Sequence, residues 1–141
     1  MKRKSLLVIA VVLSGLISGV FVHAQDEAEK LAQEAAQKWL ATIDAGEFAA
    51  GWDQAAELMK SVVTKEQLSQ QLGSVRGPLG DVVSRKLKSA QFMRRLPGAP
   101  DGQYVVLQYE TGFTNKSLAI ETVTPAKEKD GVWRVSGYYI K

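Results

Sequence analysis

From Asp26 to Asp44 apolar side chains recur at every fourth position, Leu31, Ala35, Trp39 and Ile43, beside an alternating-sign row of Asp26, Lys30, Glu34 and Lys38. Fourfold spacing stacks side chains on one face of a helix, and opposite charges one turn apart support it, so the pattern predicts an amphipathic helix over 26–44. Gly46 supplies the residue able to take positive φ where such a helix ends. Phe48, Trp52, Ala55, Ala56 and Met59 repeat the helical spacing and predict a second helix over 47–60, folded back on the first. Thr64 and Gln67 have the form of a capping box, Leu68, Leu72 and Val75 supply a third apolar stripe, and Gly77-Pro78-Leu79-Gly80 stops it.

Beyond Gly80 the period falls to two. Val105, Leu107, Tyr109, Thr111 and Phe113 alternate with their neighbours, as do Val132, Arg134, Ser136, Tyr138 and Ile140, and turn clusters lie at 97–102, 114–116 and 129–131. The pattern predicts four antiparallel strands, over 82–96, 103–113, 118–127 and 132–140. Helices first and a meander second make an α+β fold, about three helices packed on a curved, cone-like four-stranded antiparallel sheet. No repeat or linker divides it, so residues 25–141 read as one domain.

The segment before the first helix changes how composition is read. Lys2, Arg3 and Lys4 precede an apolar run from Leu6 to Val22, and Val22-His23-Ala24 ends it with a small residue. A basic start, an apolar middle and a small-residue end predict a cleavable secretory signal over 1–24, with a retained N-terminal anchor as the alternative. The expected location is therefore exported, periplasmic or secreted. The whole chain carries a formal charge of +3 from 18 basic and 15 acidic residues. The three bases of the leader account for all of it, so the remainder is neutral and its composition does not point to nucleic acid.

The same leader holds the one histidine, and the chain has no cysteine. Thiol nucleophiles, serine–histidine machinery and imidazole or thiolate metal sites all need residues that 25–141 lacks. No spaced run of oxygen ligands suggests a hard cation either, and no cofactor or metal is expected.

Several separated segments resemble a known family: Trp39-Leu40, Asp44-Ala45-Gly46-Glu47-Phe48, Trp52-Asp53, Arg76-Gly77-Pro78-Leu79-Gly80, Leu96-Pro97-Gly98-Ala99-Pro100-Asp101-Gly102 and Trp133-Arg134-Val135-Ser136-Gly137-Tyr138. In this order they are similar to the bacterial family called domain of unknown function 4019, over nearly the whole of 25–141. The resemblance implies a bacterial exported protein and brings no assigned activity. The order of elements is also similar to the nuclear transport factor 2-like and cystatin-like folds, whose relatives include ligand binders, enzymes and dimerisation modules.

Acid–base chemistry would fall to a carboxylate beside a tyrosine, from Asp44, Asp53, Glu57, Glu110 and Glu121 with Tyr104, Tyr109, Tyr138 and Tyr139. Asp53 and Glu57, one helical turn apart, read as a solvated face. Glu121, between Ala119 and Val123, is the candidate for a group facing a cavity, against the plainer reading of an outward strand residue. Trp52, Tyr109, Glu121 and Tyr138 are the candidate ligand-binding set, since amphipathic aromatics suit the mouth of an open cone. Trp39, Trp52 and Trp133 read equally as core.

Between Asp81 and Asp101 no acid occurs, while Arg85, Lys86, Lys88, Arg94 and Arg95 add five positive charges. They are either a patch for an anionic partner, such as lipid headgroups, or charges guarding an edge strand. The leading expectation is a non-catalytic exported binding or accessory module that uses the open side of its sheet for a small apolar ligand or an envelope protein. A homodimer and a membrane-surface contact are further partner readings. The alternative is a weak acid–base isomerase or lyase using a buried carboxylate and a tyrosine.

Overall fold

No glycine or proline interrupts the chain between Gly19 and Gly46. In the computed structural model, which describes residues 16–141, this stretch is one helix, α1 (Leu16–Asp44). It starts at Leu16 rather than Asp26 and passes without a break through Ala24. The leader expected over 1–24 lies mostly outside the described residues. Among those described, no helix is long and apolar enough to cross a membrane.

The buried face of α1 is Ala28, Ala32, Ala36, Leu40 and Ile43, with Trp39 beside them, whereas Leu31 is exposed. The stripe is turned from the one read off Leu31 and Ala35. Alanines bring the helix backbone close to the sheet, and the larger Leu31 is left at the margin.

The helix expected over 47–60 is two helices, α2 (Phe48–Asp53) and α3 (Glu57–Val62). Ala56 between them is extended, and its N–H donates to the Val135 carbonyl at 2.9 Å. A tertiary hydrogen bond to the last strand thus takes the amide that a continuous helix would have used. The next helix, α4 (Lys65–Leu79), opens on a complete capping box: Thr64 Oγ1 accepts from the Gln67 N–H at 3.2 Å, and Gln67 Oε1 accepts from the Thr64 N–H at 2.9 Å. Pro78 lies within its last turn, and Gly80, at φ 77°, follows it.

Strands β1 (Val82–Met93), β2 (Tyr104–Phe113), β3 (Lys116–Lys127) and β4 (Trp133–Ile140) form an antiparallel meander in chain order. The α+β class and the four strands agree with the sequence reading. β1 ends at Met93, before the expected 96, because the Arg94 carbonyl accepts from Gly102 and closes the loop. β1 and β4 are the two edges.

Register fixes what each face carries. Leu87, Tyr109, Glu121 and Ile140 lie in one row across the sheet, and Ala90, Leu107, Val123 and Tyr138 in another. Leu107, Tyr109, Glu121 and Val123 are buried, which marks this as the face under the helices. Ser89, Gln108, Thr122 and Tyr139 form a row on the opposite, polar face. The core joins the α1 stripe to Val105, Leu107, Val123 and Val135, with Met59, Leu68 and Leu72 closing it from α3 and α4.

Two glycines near the end of α4 separate conformation from space. A Cβ on Gly80 would stand 3.1 Å from Thr114 Cβ and 3.2 Å from Asn115 Nδ2, at a φ that L-residues rarely adopt. Gly77 is helical and a Cβ there meets nothing within 4 Å. Urea unfolding should show Gly80→Ala losing more than about 1 kcal/mol, and Gly77→Ala gaining about 0.5–1 kcal/mol.

Candidate functional site

Glu121 stands at a core-facing position of β3 with 0% of its surface exposed. A carboxylate so far from water must have its oxygens occupied, and here they are. Oε1 accepts from Arg85 Nε at 2.7 Å and from the Thr111 hydroxyl at 2.5 Å. Oε2 accepts from the Tyr138 hydroxyl at 2.5 Å and from Arg85 Nη2 at 3.3 Å.

Arg85 also reaches the other way. Its Nη1 donates to Asp44 Oδ2 at 2.7 Å and its Nη2 to Oδ1 at 3.0 Å. Arg76 Nη2 donates to the same Oδ1 at 2.7 Å. The result is a chain of alternating charge, Arg76–Asp44–Arg85–Glu121, with no net charge. It joins the last residue of α1, the last turn of α4, the start of β1 and the middle of β3. Asp44 at a helix C-terminus faces the negative end of the dipole, and the two guanidinium groups compensate for it; Arg76, at the end of α4, is favoured there.

The environment shifts these groups in directions that follow from the geometry. Burial by itself would raise the Asp44 pKa, but hydrogen bonds from Arg85 and Arg76, reinforced by their charge, hold it below its ordinary 3.8. Burial works against the Arg85 charge, and the hydrogen bonds to Asp44 and Glu121 outweigh it, so the guanidinium is held above its ordinary range. Tyr138 is pushed up by burial first, then by the Glu121 charge and hydrogen bond, with Arg76 pulling the other way. Tyr109 is raised by burial; Arg85 opposes this and Glu121 adds to it.

Of the candidate ligand-binding residues, the structure brings Tyr109, Glu121 and Tyr138 together under the helices. The outward-facing reading of Glu121 does not hold, because β3 alternation points it into the core beside Ala119 and Val123. Trp52 stands apart on α2, where its Nε1 donates to the Val63 carbonyl at 2.8 Å and the Lys60 and Lys65 ammonium groups each lie 5.3 Å from the ring centre. Trp39 is core: its Nε1 donates to the Gly51 carbonyl at 2.9 Å, and its ring meets Tyr138 at 5.3 Å.

The five bases of 85–95 do not form one patch. Arg85 is turned inward and spent on two carboxylates, Lys88 pairs with Glu110 at 3.3 Å, and Arg95 pairs with Asp101 at 3.4 Å. Arg94 lies 5.5 Å over the Phe92 ring, and Lys86 is exposed along the β1 edge.

Sequence reading missed Arg76 and Thr111. Both carried a signal. Arg76 continues the buried row Leu68–Leu72 at the next fourth position, and Thr111 interrupts the apolar alternation between Tyr109 and Phe113. Among the described residues no group of three or more acidic, histidine or cysteine side chains is placed to hold a metal ion.

Open space lies at the surface. A groove of about 440 Å³ runs between α3, α4 and the outer edge of β4, lined by Met59, Val62, Leu72, Val75, Tyr138 and Ile140 among others. Another, of about 560 Å³, lies where the β1–β2 and β3–β4 connections meet, lined by Arg94, Arg95, Lys127 and Lys129 with Asp101 and Glu128.

A family model described as a protein of unknown function (DUF4019) matches residues 35–138. No curated protein and no solved structure matches the chain.

Removing Arg85 leaves Glu121 buried beside two hydroxyls with no counter-charge, so Arg85→Met should cost about 3–5 kcal/mol in urea unfolding. Arg95→Met, at an exposed pair, should leave the midpoint almost unchanged. The pH profile of stability has two sides. Asp44, depressed in the fold, contributes fully above pH 3.8, and that contribution is lost as pH falls through its lower folded value. Tyr138, raised in the fold, contributes below its ordinary value of 10.0 and loses that contribution as pH rises further. Tyr138→Phe should therefore flatten the alkaline limb of a stability-against-pH curve and leave the acid limb in place.

Proposed function

Because the chain belongs to the DUF4019 family of proteins of unknown function, membership brings no activity, and we propose that it is a non-catalytic exported module that binds an extended, uncharged segment of a partner protein along β4. The leader pattern supports export. The observation that carries the binding reading is the state of the β4 edge.

Ile120 and Lys141 exchange both of their backbone hydrogen bonds, each 3.0 Å. Antiparallel alternation then turns the backbone of Tyr139 toward β3 and that of Tyr138 and Ile140 outward. Nearer the start of the strand, the Val135 carbonyl is taken by Ala56. Beside the free stretch lies the apolar groove, whose lining contains no Asp, Glu, Lys or Arg. Val62, 76% exposed, and Tyr139, 60% exposed, stand at its rim. The opposite edge, β1, carries the exposed Lys86 and Lys88 and two register shifts, features that discourage strand addition. Main-chain pairing at β4 would supply affinity, and the uncharged groove would select apolar side chains at alternate positions.

Small apolar ligands suit the same groove better than the open face of the sheet, which is polar. The acid–base enzyme reading draws support from the Glu121–Tyr138 contact, but both Glu121 oxygens are already occupied by Arg85, Thr111 and Tyr138. A general base needs a lone pair within reach of substrate.

A synthetic uncharged strand of alternating Val and Thr is the probe. Hydrogen exchange should show the Tyr138 and Ile140 amides protected on its addition. Ile140→Pro removes one outward donor while sparing the β3 ladder, and it should weaken binding about tenfold. Val62→Asp, which charges the groove at an exposed position, should do the same without lowering stability. Protection confined to other elements, or binding indifferent to both substitutions, would refute the proposal.

A further inference from the structure

Antiparallel order puts the β1–β2 and β3–β4 connections at one end of the sheet, and that end has an unusual charge arrangement. Its acids are ion-paired, Asp101 with Arg95, and Glu128 and Asp130 both with the one Arg134 at 2.7 and 2.9 Å, so the bases Arg94, Arg95, Lys127, Lys129 and Arg134 exceed the acids by two charges. Glu128 Oε2 also accepts from the Glu57 N–H at 2.8 Å. Three exposed bases of the same end, Arg94, Lys127 and Lys129, have no ion-pair partner among the described residues.

Between Arg95 and Asp101 the connection reads Leu96-Pro97-Gly98-Ala99-Pro100, a loop tip without a charged side chain. Pro97, Gly98 and Pro100 are exposed. The chain upstream leaves from this end as well. Leu31 and Ala35 of α1 line a cleft with Gly131, Val132 and Trp133, and Gly131 also borders the basic groove. From Ala28, a buried residue, α1 continues back to Leu16, about 18 Å of helix at 1.5 Å per residue. That extension exposes Val20, Phe21 and Val22. Asp26, Glu27 and Glu29 also lie on α1 but not among the lining residues of the groove.

We infer that this end of the domain docks on an anionic lipid surface, with Arg94, Lys127 and Lys129 meeting headgroups and the Leu96–Pro100 tip entering the interface. An uncharged tip flanked by unpaired bases is the arrangement that combines shallow apolar burial with attraction to anionic lipid. In a chain that keeps its leader as an anchor, the upstream apolar residues Val20, Phe21 and Val22 leave from the same end and give the docked domain a consistent orientation. The inference does not depend on the β4 proposal, since it uses a separate groove lined by different residues.

Cosedimentation of the full chain with vesicles tests it, comparing pure phosphatidylcholine with a mixture containing about 30% phosphatidylglycerol. The leader, with Lys2, Arg3 and Lys4, adds to the anionic-lipid increment equally in every variant, so the quantity read is the difference in that increment between variants. That increment should fall about tenfold in Arg94→Gln/Lys127→Gln/Lys129→Gln and less than about twofold in the matched control Lys86→Gln/Lys88→Gln/Lys116→Gln. It should also shrink as salt is raised past the point where charges are screened. Equal losses in the two triple variants would overturn the inference. So would binding to soluble polyphosphate without any anionic-lipid increment, which would assign the groove to a polymer.

Discussion

Arg85 lies between two carboxylates, and its placement largely determines the architecture around it. A guanidinium held mostly away from water is tolerated only where its donors are matched, and it meets Asp44 on one side and Glu121 on the other. Because those acids sit on α1 and β3, the charge chain sets where the end of the long helix rests over the sheet. Arg76 extends the same constraint to α4 and stacks over Phe113 at 5.1 Å. Thr111 and Tyr138 fill the remaining positions around Glu121, whereas the neighbouring Tyr109 hydroxyl and the Arg76 Nε and Nη1 are buried without a hydrogen-bond partner among the described residues. An alternating chain of this kind carries little net stabilisation relative to an apolar core, yet losing one member is costly, so it specifies an arrangement more than it strengthens one.

That saturation bears on function. The buried carboxylate and tyrosine that would serve acid–base chemistry are instead bound to each other and to Arg85. The two proposed recognition surfaces lie at the margins of the fold, where the β4 edge offers unpaired backbone beside an uncharged groove and the loop end offers unpaired bases beside an uncharged tip. The two edges of the sheet are chemically unlike: β1 exposes Lys86 and Lys88, whereas the end of β4 lies beside a groove lined without charged side chains. A meander closed on one face by helices can leave such an asymmetry because its two edges come from opposite ends of the sheet order.

Much of this fold was legible from periodicity. The change from fourfold to twofold spacing at Gly80 located the boundary between helices and sheet, and Thr64 with Gln67 announced the start of α4. What periodicity could not show was set by tertiary contacts. The break at Ala56 depends on the Val135 carbonyl, seventy-nine positions along by number and far beyond any local window. The inward turn of Glu121 depends on Arg85 and Asp44 being brought to it, so an acid in a strand read equally well as exposed. The basic cluster was visible as composition, but its division among an inward arginine, surface pairs and free bases followed only from the register of β1 on β2. Arg76 and Thr111 were legible as polar residues at core-facing positions, a signal that becomes informative once the acids they accompany are known to be buried.

The most direct test is a double-mutant cycle on Arg85 and Glu121, followed by urea unfolding. If the charge chain is the structural centre described above, the Arg85→Met/Glu121→Leu variant will be more stable than the sum of the single losses requires, with a coupling of about 2 kcal/mol or more. Single losses that simply add would show that the two side chains act independently, and the account of Glu121 as a saturated structural acid would fail.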